Sequence, residues 1–158
     1  MDQESSWPYW AERTNPGAEV RNFGVDRERT DQIAVRLERS VEGVDALVIQ
    51  GGINDIVAGL PVGQAAANLR GMVRRGMELG LRVALAEVCP WRGHPEVTRL
   101  NELIHEIART EEVFLLPFYG TLEDPGRPGH MRDEWCSDGN HPSVVGYRRL
   151  GELAFRVP

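Results

Sequence analysis

The chain has 158 residues, 41% of them hydrophobic and 27% charged, which suits one domain with a buried core. Its net charge of -6 and its scattered arginines argue against nucleic acids and anionic membranes as partners, because both require a basic face. Two cysteines are too few for a disulfide scaffold, no apolar run could span a bilayer, and the acidic N-terminal segment is unlike a signal peptide. We expect a single domain over residues 1–158, cytoplasmic as written, or secreted if the true start lies upstream.

The first half of the chain predicts two helices and two strands in alternation. Ser6 is placed to cap a short helix, with Pro8 in its opening turn. Residues 20–25 predict a short strand, and Thr30 then caps a helix that carries apolar residues on one face through Val41. Residues 45–51 are a continuous apolar run, as expected for a strand covered by helices on both faces of its sheet.

The second half continues the alternation. Residues 64–79 predict a helix that Gly80 ends, residues 81–88 a buried strand, residues 95–109 an amphipathic helix and residues 113–118 a last strand. A loop rich in Gly, Pro and Asp follows over residues 119–141, and Ser143 caps a final helix. Strands that alternate with helices predict an α/β fold with a parallel sheet, in which ligands bind at the carboxyl ends of the strands.

Two turns at that edge carry candidate catalytic groups. The turn after the strand at residues 45–51 contains Gly52 and Asn54, whose side-chain NH₂ can stabilise an oxyanion. The alternative is an ordinary Asn-Asp turn that caps the next helix. In the loop before the last helix, Asp138 precedes His141 by three residues, so the carboxylate can hold the imidazole in one tautomer and stabilise its protonated form. The alternative is a simple turn beside a surface histidine.

Together, Gly52-Ile53-Asn54-Asp55 and Asp138-x-x-His141-Pro142 resemble the third and fifth sequence blocks of the SGNH (GDSL-like) ester hydrolases. Asn22-Phe23-Gly24-Val25, followed by Thr30-Asp31-Gln32, resembles the second block. The resemblance implies a flavodoxin-like α/β/α sandwich of three layers, a small-molecule ester as substrate and no cofactor. It implies that His141 is the general base, that Asp138 orients it and that Asn54, in the block begun by Gly52, donates to the oxyanion. The histidines show no metal-ligand spacing, so we predict no metal.

The chain departs from the family pattern in two places. No strand ending in Gly-Asp-Ser, the first block and the source of the nucleophile, occurs in the 158 residues. In the second block, Arg27 aligns with the glycine whose backbone N–H helps to form the oxyanion hole. An arginine N–H can still donate, although its side chain makes a left-handed backbone costly. The charged loop either faces water or brings Arg27 or Arg29 to the pocket, where it would pair with an acidic ligand.

With the family's serine missing, several other residues are candidates for the nucleophile. Ser5 and Ser6 are the nearest candidates in sequence, with a helix cap as the alternative role of Ser6. Cys136 or Cys89 could supply a thiol that His141 activates, whereas an inert thiol is the commoner state.

The missing strand would lie inside the sheet in the 2-1-3-4-5 order that the resemblance implies. Its slot could be filled by residues 20–25 pairing directly with residues 45–51, by a partner chain or by the N-terminus. We predict the direct pairing or a homodimer. The resemblance leads to an ester hydrolase that acts through an acyl-enzyme and is impaired if nothing replaces the serine. The alternatives are a non-catalytic binding module on the same fold and an N-terminally truncated form of an ordinary esterase.

Overall fold

The computed structural model describes residues 2–155, and the chain divides into two compact units. Of the described residues, the sheet unit contains 25–88 and 96–116, and the terminal unit contains 2–24, 89–95 and 117–155. The helices are α1 Trp7–Thr14, α2 Thr30–Val35, α3 Leu37–Ser40, α4 Ile53–Val57, α5 Val62–Glu78, α6 Glu96–Thr110, α7 Phe118–Leu122 and α8 Val144–Arg149. Short 3-10 turns cover Gln3–Ser5 and Asp133–Trp135, and a π-helical turn covers Leu150–Ala154. The strands are β1 Ala46–Ile49, β2 Arg82–Ala86 and β3 Phe114–Leu116.

The sheet unit is built on three parallel strands in the order β1-β2-β3. Ala46 lies opposite Arg82, and Ala84 lies opposite Phe114. The central strand β2 is buried after Arg82, as predicted for residues 81–88. Strand β1, whose continuous apolar run predicted cover on both faces, is only partly buried, and so is β3. Helices α5 and α6 pack against each other and against β2. The parallel α/β architecture predicted from the alternating pattern is thus present.

The strand predicted at residues 20–25 is wrong. The Asn22 carboxamide oxygen accepts a hydrogen bond from the Gly24 N–H at 2.9 Å, and this local bond competes with an extended ladder. Phe23 and Val25 are exposed, so no apolar face is buried there. The predicted direct pairing of this segment with residues 45–51 is also wrong, because among the described residues β1 pairs with β2 alone. The homodimer stays a prediction.

The helix predicted after Thr30 differs from the observed one at both of its ends. Thr30 is the first helical residue and not the cap, because the buried Asp55 carboxylate accepts the Thr30 N–H and so caps the helix from a distant turn. The helix expected to run through Val41 is interrupted at Arg36, which separates α2 from α3.

The terminal unit has its own aromatic core. Helix α1 packs on α8 and on the π-helical turn, and the Trp7 ring lies 5.3 Å from that of Phe118 and 5.5 Å from that of Phe155. The loop predicted over residues 119–141 contains most of α7 and the 3-10 turn Asp133–Trp135. Within residues 2–155, no helix has both the length and the apolar character that a bilayer crossing requires.

Candidate active site

The loop before α8 brings Asp138 and His141 together in the terminal unit. Asp138 Oδ2 lies 2.7 Å from His141 Nδ1, while Oδ1 accepts the backbone N–H groups of Asn140 at 3.0 Å and His141 at 2.8 Å. The Ser137 N–H donates to the His141 carbonyl, and the Ser143 hydroxyl then caps α8 by accepting the Gly146 N–H. The dyad is therefore held by hydrogen bonds on both sides of the loop.

These hydrogen bonds set the charge of the dyad. The backbone N–H of His141, then that of Asn140 and then the imidazole lower the pKa of Asp138 to about 2, so it is ionised at neutral pH. An ionised carboxylate at Nδ1 favours the tautomer with its proton there, which leaves the Nε2 lone pair to act as a base. Within residues 2–155, Nε2 makes no hydrogen bond. The Trp91 ring packs edge-on against the imidazole, with centroids 4.8 Å apart.

The turn after β1 places Gly52 and Asn54 in the sheet unit. Gly52 is buried with φ +117°, and a Cβ there would lie 2.5 Å from Leu100 Cδ2, so only glycine fits. The Asn54 amide donates one N–H to the Glu28 carbonyl at 2.9 Å. That bond fixes the direction of the amide and leaves its second N–H for an acceptor such as an oxyanion.

Asp55, the next residue, has a structural role that sequence reasoning missed. Its side chain is only 1% exposed and accepts the Thr30 hydroxyl at 2.6 Å and the Thr30 N–H at 2.9 Å. Asn68 donates to the same hydroxyl at 3.0 Å. The buried carboxylate therefore ties the Asn54 turn to the start of α2. Thr30 and Asp55 lie in two sequence blocks that resemble those of the family, but the sequence does not show that the two residues are in contact.

Comparison with known proteins identifies the family. Residues 2–149 match the sequence profile of the GDSL-like lipase/acylhydrolase family. The chain belongs to this family. A search of curated protein sequences finds no match.

Solved structures share the fold. A protein of Desulfitobacterium hafniense DCB-2 assigned to the lipolytic G-D-S-L family superposes with a TM-score of 0.86 at 24% identity, over 94% of this chain and 86% of its own. A member of the lipolytic G-D-S-L family from Veillonella parvula DSM 2008 gives 0.81 at 17% identity, over 96% and 86%. An acetyl xylan esterase gives 0.78 at 13% identity, over 94% and 88%. The predicted α/β fold of the GDSL-like family is confirmed, with three parallel strands and the first strand of the family absent from the described sheet.

The second GDSL-like block carries the Arg27 substitution. Arg27 adopts a left-handed backbone with φ +63°, the geometry that its side chain makes costly. That side chain is 90% exposed and lies 3.6 Å from Asp26, so it is solvated. Arg29 forms two hydrogen bonds to Asp31, at 3.1 and 3.0 Å, and lines a cavity of about 280 Å³ beside Asp55. The Arg27 N–H as an oxyanion donor stays a prediction.

None of the candidate nucleophiles is hydrogen-bonded to His141 in the described chain. The 3-10 turn that ends at Ser5 packs against α8, the helix that follows the His141 loop. Ser6 precedes α1 but does not cap it, since its hydroxyl donates to the Gln3 carbonyl at 2.9 Å. The Cys136 sulfur accepts the Gly139 N–H at 3.2 Å. Neither Cys136 nor Cys89 forms a disulfide with a described residue.

Two further side chains have polar or charged neighbours. His105 Nε2 contacts the carboxylate of Glu87, which is buried just beyond β2. The guanidinium carbons of Arg149 and Arg132 lie 3.9 and 5.0 Å from the Trp135 ring centroid. No group of three or more His, Cys, Asp or Glu side chains in residues 2–155 is arranged to hold a metal ion.

Proposed function

We propose that this GDSL-like chain is a carboxylic-ester hydrolase in which His141 is the general base and Asp138 its orienting partner. The observation that carries the proposal is the 2.7 Å contact between Asp138 Oδ2 and His141 Nδ1, made by a carboxylate that two backbone N–H groups also hold. The two backbone bonds are those of an ordinary turn that begins at an aspartate, and they leave the second carboxylate oxygen directed at the imidazole. The arrangement fits the general base of an acyl-transfer site.

The reaction divides into two steps. A nucleophilic oxygen or sulfur attacks the ester carbonyl carbon while His141 Nε2 takes its proton, and the carbonyl oxygen becomes an oxyanion that the free N–H of Asn54 stabilises. The intermediate then collapses, the alcohol leaves with the proton from His141, and an acyl-enzyme remains. Water, activated by the same base, releases the acid and regenerates the nucleophile. No cofactor takes part in this sequence.

The nucleophile is the part of the proposal that must be found by experiment. Ser5 and Ser6 are candidates because their segment packs against α8, and Cys136 is a candidate because it lies in the His141 loop. A fluorophosphonate labels activated serines, and iodoacetamide labels activated thiols. Peptide mapping of each labelled protein identifies the residue, and labelling that depends on His141 would distinguish a catalytic nucleophile from a surface side chain.

Turnover of 4-nitrophenyl acetate tests the base. We expect His141→Ala to abolish turnover while His94→Ala, which removes another loop histidine of the same unit, leaves it unchanged. Equal turnover in wild type and His141→Ala would contradict the assignment. Circular dichroism of each variant ensures that loss of activity is not loss of folding.

A non-catalytic ester-binding module is the second candidate. The observation in its favour is that the 158 residues contain no Gly-Asp-Ser sequence. It predicts that a folded protein binds an ester at the His141 loop, without turnover and without labelling by either reagent. Sequencing the upstream DNA tests the third alternative, since an in-frame Gly-Asp-Ser codon run there would indicate a longer esterase.

A further inference from the structure

A cavity of about 240 Å³ borders the loop that carries Asp138 and His141. It lies wholly within the terminal unit. Its lining includes two arginines, a histidine, an aspartate and backbone of the His141 loop: Arg92, Arg127, His130, Asp133, Ser137 and Gly139. This lining is more basic than the chain as a whole, whose net charge is -6.

The carboxylates around this cavity already have partners. Arg127 pairs with Asp133 at 2.7 Å and with Asp124 at 2.8 Å. The Asp138 oxygens contact the imidazole and two backbone N–H groups. Within residues 2–155, none of these three carboxylates forms an ion pair with Arg92.

Arg92 is the second arginine of the lining. Its backbone N–H donates to the Asn140 carboxamide at 2.9 Å, and its guanidinium lies over Gly139, with Nη2 3.1 Å from where a Cβ would be. Within residues 2–155, the guanidinium has no hydrogen bond and no ion pair. The preceding residue, Trp91, contacts the His141 ring. One short segment thus supplies both a contact to the proposed base and an unpaired positive charge on the adjacent cavity.

We propose that this cavity is a substrate subsite for an oxyanion group, and that the ester hydrolysed at His141 carries a carboxylate or a phosphate that Arg92 binds. A guanidinium is suited to this task because its fork of N–H groups matches two oxygens of such an anion. The substrate class is therefore an anionic ester. The inference rests on the proposed function for its chemistry, but the anion site itself can be tested without any ester.

The first experiment titrates inorganic phosphate into ¹⁵N-labelled protein and follows backbone amide shifts. In wild type we expect saturable shifts at Arg92, Gly139 and Asn140, weakened at high salt because charges at the surface are screened. Arg92→Gln should weaken binding by about fivefold or more, as expected when a guanidinium–oxyanion pair is lost. Arg21→Gln is the matched control, since it removes one positive charge from the same unit at an arginine paired with Glu19. Binding unchanged in Arg92→Gln would overturn the anion site.

The second experiment compares monomethyl succinate with methyl butyrate, two esters that differ by a carboxylate in place of a methyl group. We expect wild type to bind or hydrolyse the anionic ester about fivefold better, and Arg92→Gln to treat the two alike. Equal use of both esters by wild type would overturn the substrate class while leaving the esterase proposal intact. Phosphate binding with neither ester bound or hydrolysed would show an anion site that is not a substrate subsite and would overturn the inference, while turnover of 4-nitrophenyl acetate decides the esterase proposal separately.

Discussion

The sheet unit and the terminal unit each contain a functional-block aspartate, and the two aspartates lie in opposite surroundings. Asp55, beside Asn54 in the sheet unit, is 1% exposed, and each of its carboxylate oxygens accepts a hydrogen bond from Thr30. Asp138, in the terminal unit, has a side chain that is 55% exposed. Its carboxylate oxygens contact the backbone N–H and the imidazole of His141. Both aspartates fix a neighbouring turn, but one does so in the core and the other at the surface.

Burial determines what each carboxylate contributes. A buried charge must be fully hydrogen-bonded, so loss of the Asp55 contacts should lower the free energy of unfolding substantially. An exposed charge is solvated whether or not it is bonded, so the Asp138 contacts add little to stability. We therefore assign the exposed Asp138 a role in the proposed catalysis and the buried Asp55 a role in stabilising the fold. Substitution of Asp138 should change turnover, and substitution of Asp55 should change stability.

The largest expected effect is on turnover in Asp138→Asn. An asparagine keeps the size of the side chain but no longer favours the tautomer with a proton on Nδ1, so Nε2 is a poor base. We expect kcat for 4-nitrophenyl acetate to fall by about 10⁴-fold, the size of effect that this change has in catalytic triads. Thermal unfolding should remain within a few degrees of wild type. A loss of turnover that merely follows a loss of folded protein would contradict the division of roles.

The next effect is on stability in Asp55→Ala. The change removes two charge-assisted hydrogen bonds and leaves a buried N–H of Thr30 without its acceptor. We expect a loss of about 3 kcal/mol in the free energy of unfolding, or a Tm lower by roughly 6–12 °C for a chain of this length. Denaturant unfolding and calorimetry measure it.

Asp31→Ala is the matched control for that experiment. It removes an exposed aspartate from the same segment, one paired with Arg29 at the surface. Its cost should be under about 1 kcal/mol. Equal destabilisation by the two variants would mean that burial of Asp55 is not what matters.

The two aspartates also show which contacts can be predicted from the sequence and which cannot. Asp138 and His141 are three residues apart, so a local loop decides their contact and the motif predicted it. Asp55 and Thr30 are 25 residues apart, and only the tertiary fold brings them together. The strand predicted at residues 20–25 failed for a related reason, because a strand forms only where a neighbour accepts its backbone bonds. Apolar runs predicted β1, β2 and β3, since strands of a parallel sheet between two layers of helices are apolar on both faces.

A smaller effect concerns the titration of Asp138. Its pKa is about 2 in the folded protein against an ordinary 3.8, so its ionised form contributes stability that is fully present above about pH 4 and is lost as the pH falls toward 2. The side chain is half exposed, so we expect this contribution to be under about 1 kcal/mol. In His141→Ala the two backbone N–H donors remain, and they are the larger causes of the shift. NMR titration should therefore find the pKa raised only part of the way; a return to 3.8 would show that the imidazole dominates.

The smallest expected effect lies in the loop that Asn54 and Asp55 hold. Arg27 has φ +63°, a conformation that costs a residue with a side chain about 1 kcal/mol or more and costs glycine almost nothing. We expect Arg27→Gly to raise the free energy of unfolding by about 0.5–1 kcal/mol, with part of the relief offset by the greater freedom of glycine in the unfolded chain. Arg27→Ala is the matched control, because it removes the same exposed side chain but keeps the strain. Turnover should be unchanged in both, since each keeps the backbone N–H that is the candidate oxyanion donor. If alanine stabilised as much as glycine, the gain would come from removing charge, and the left-handed backbone would not be the cause.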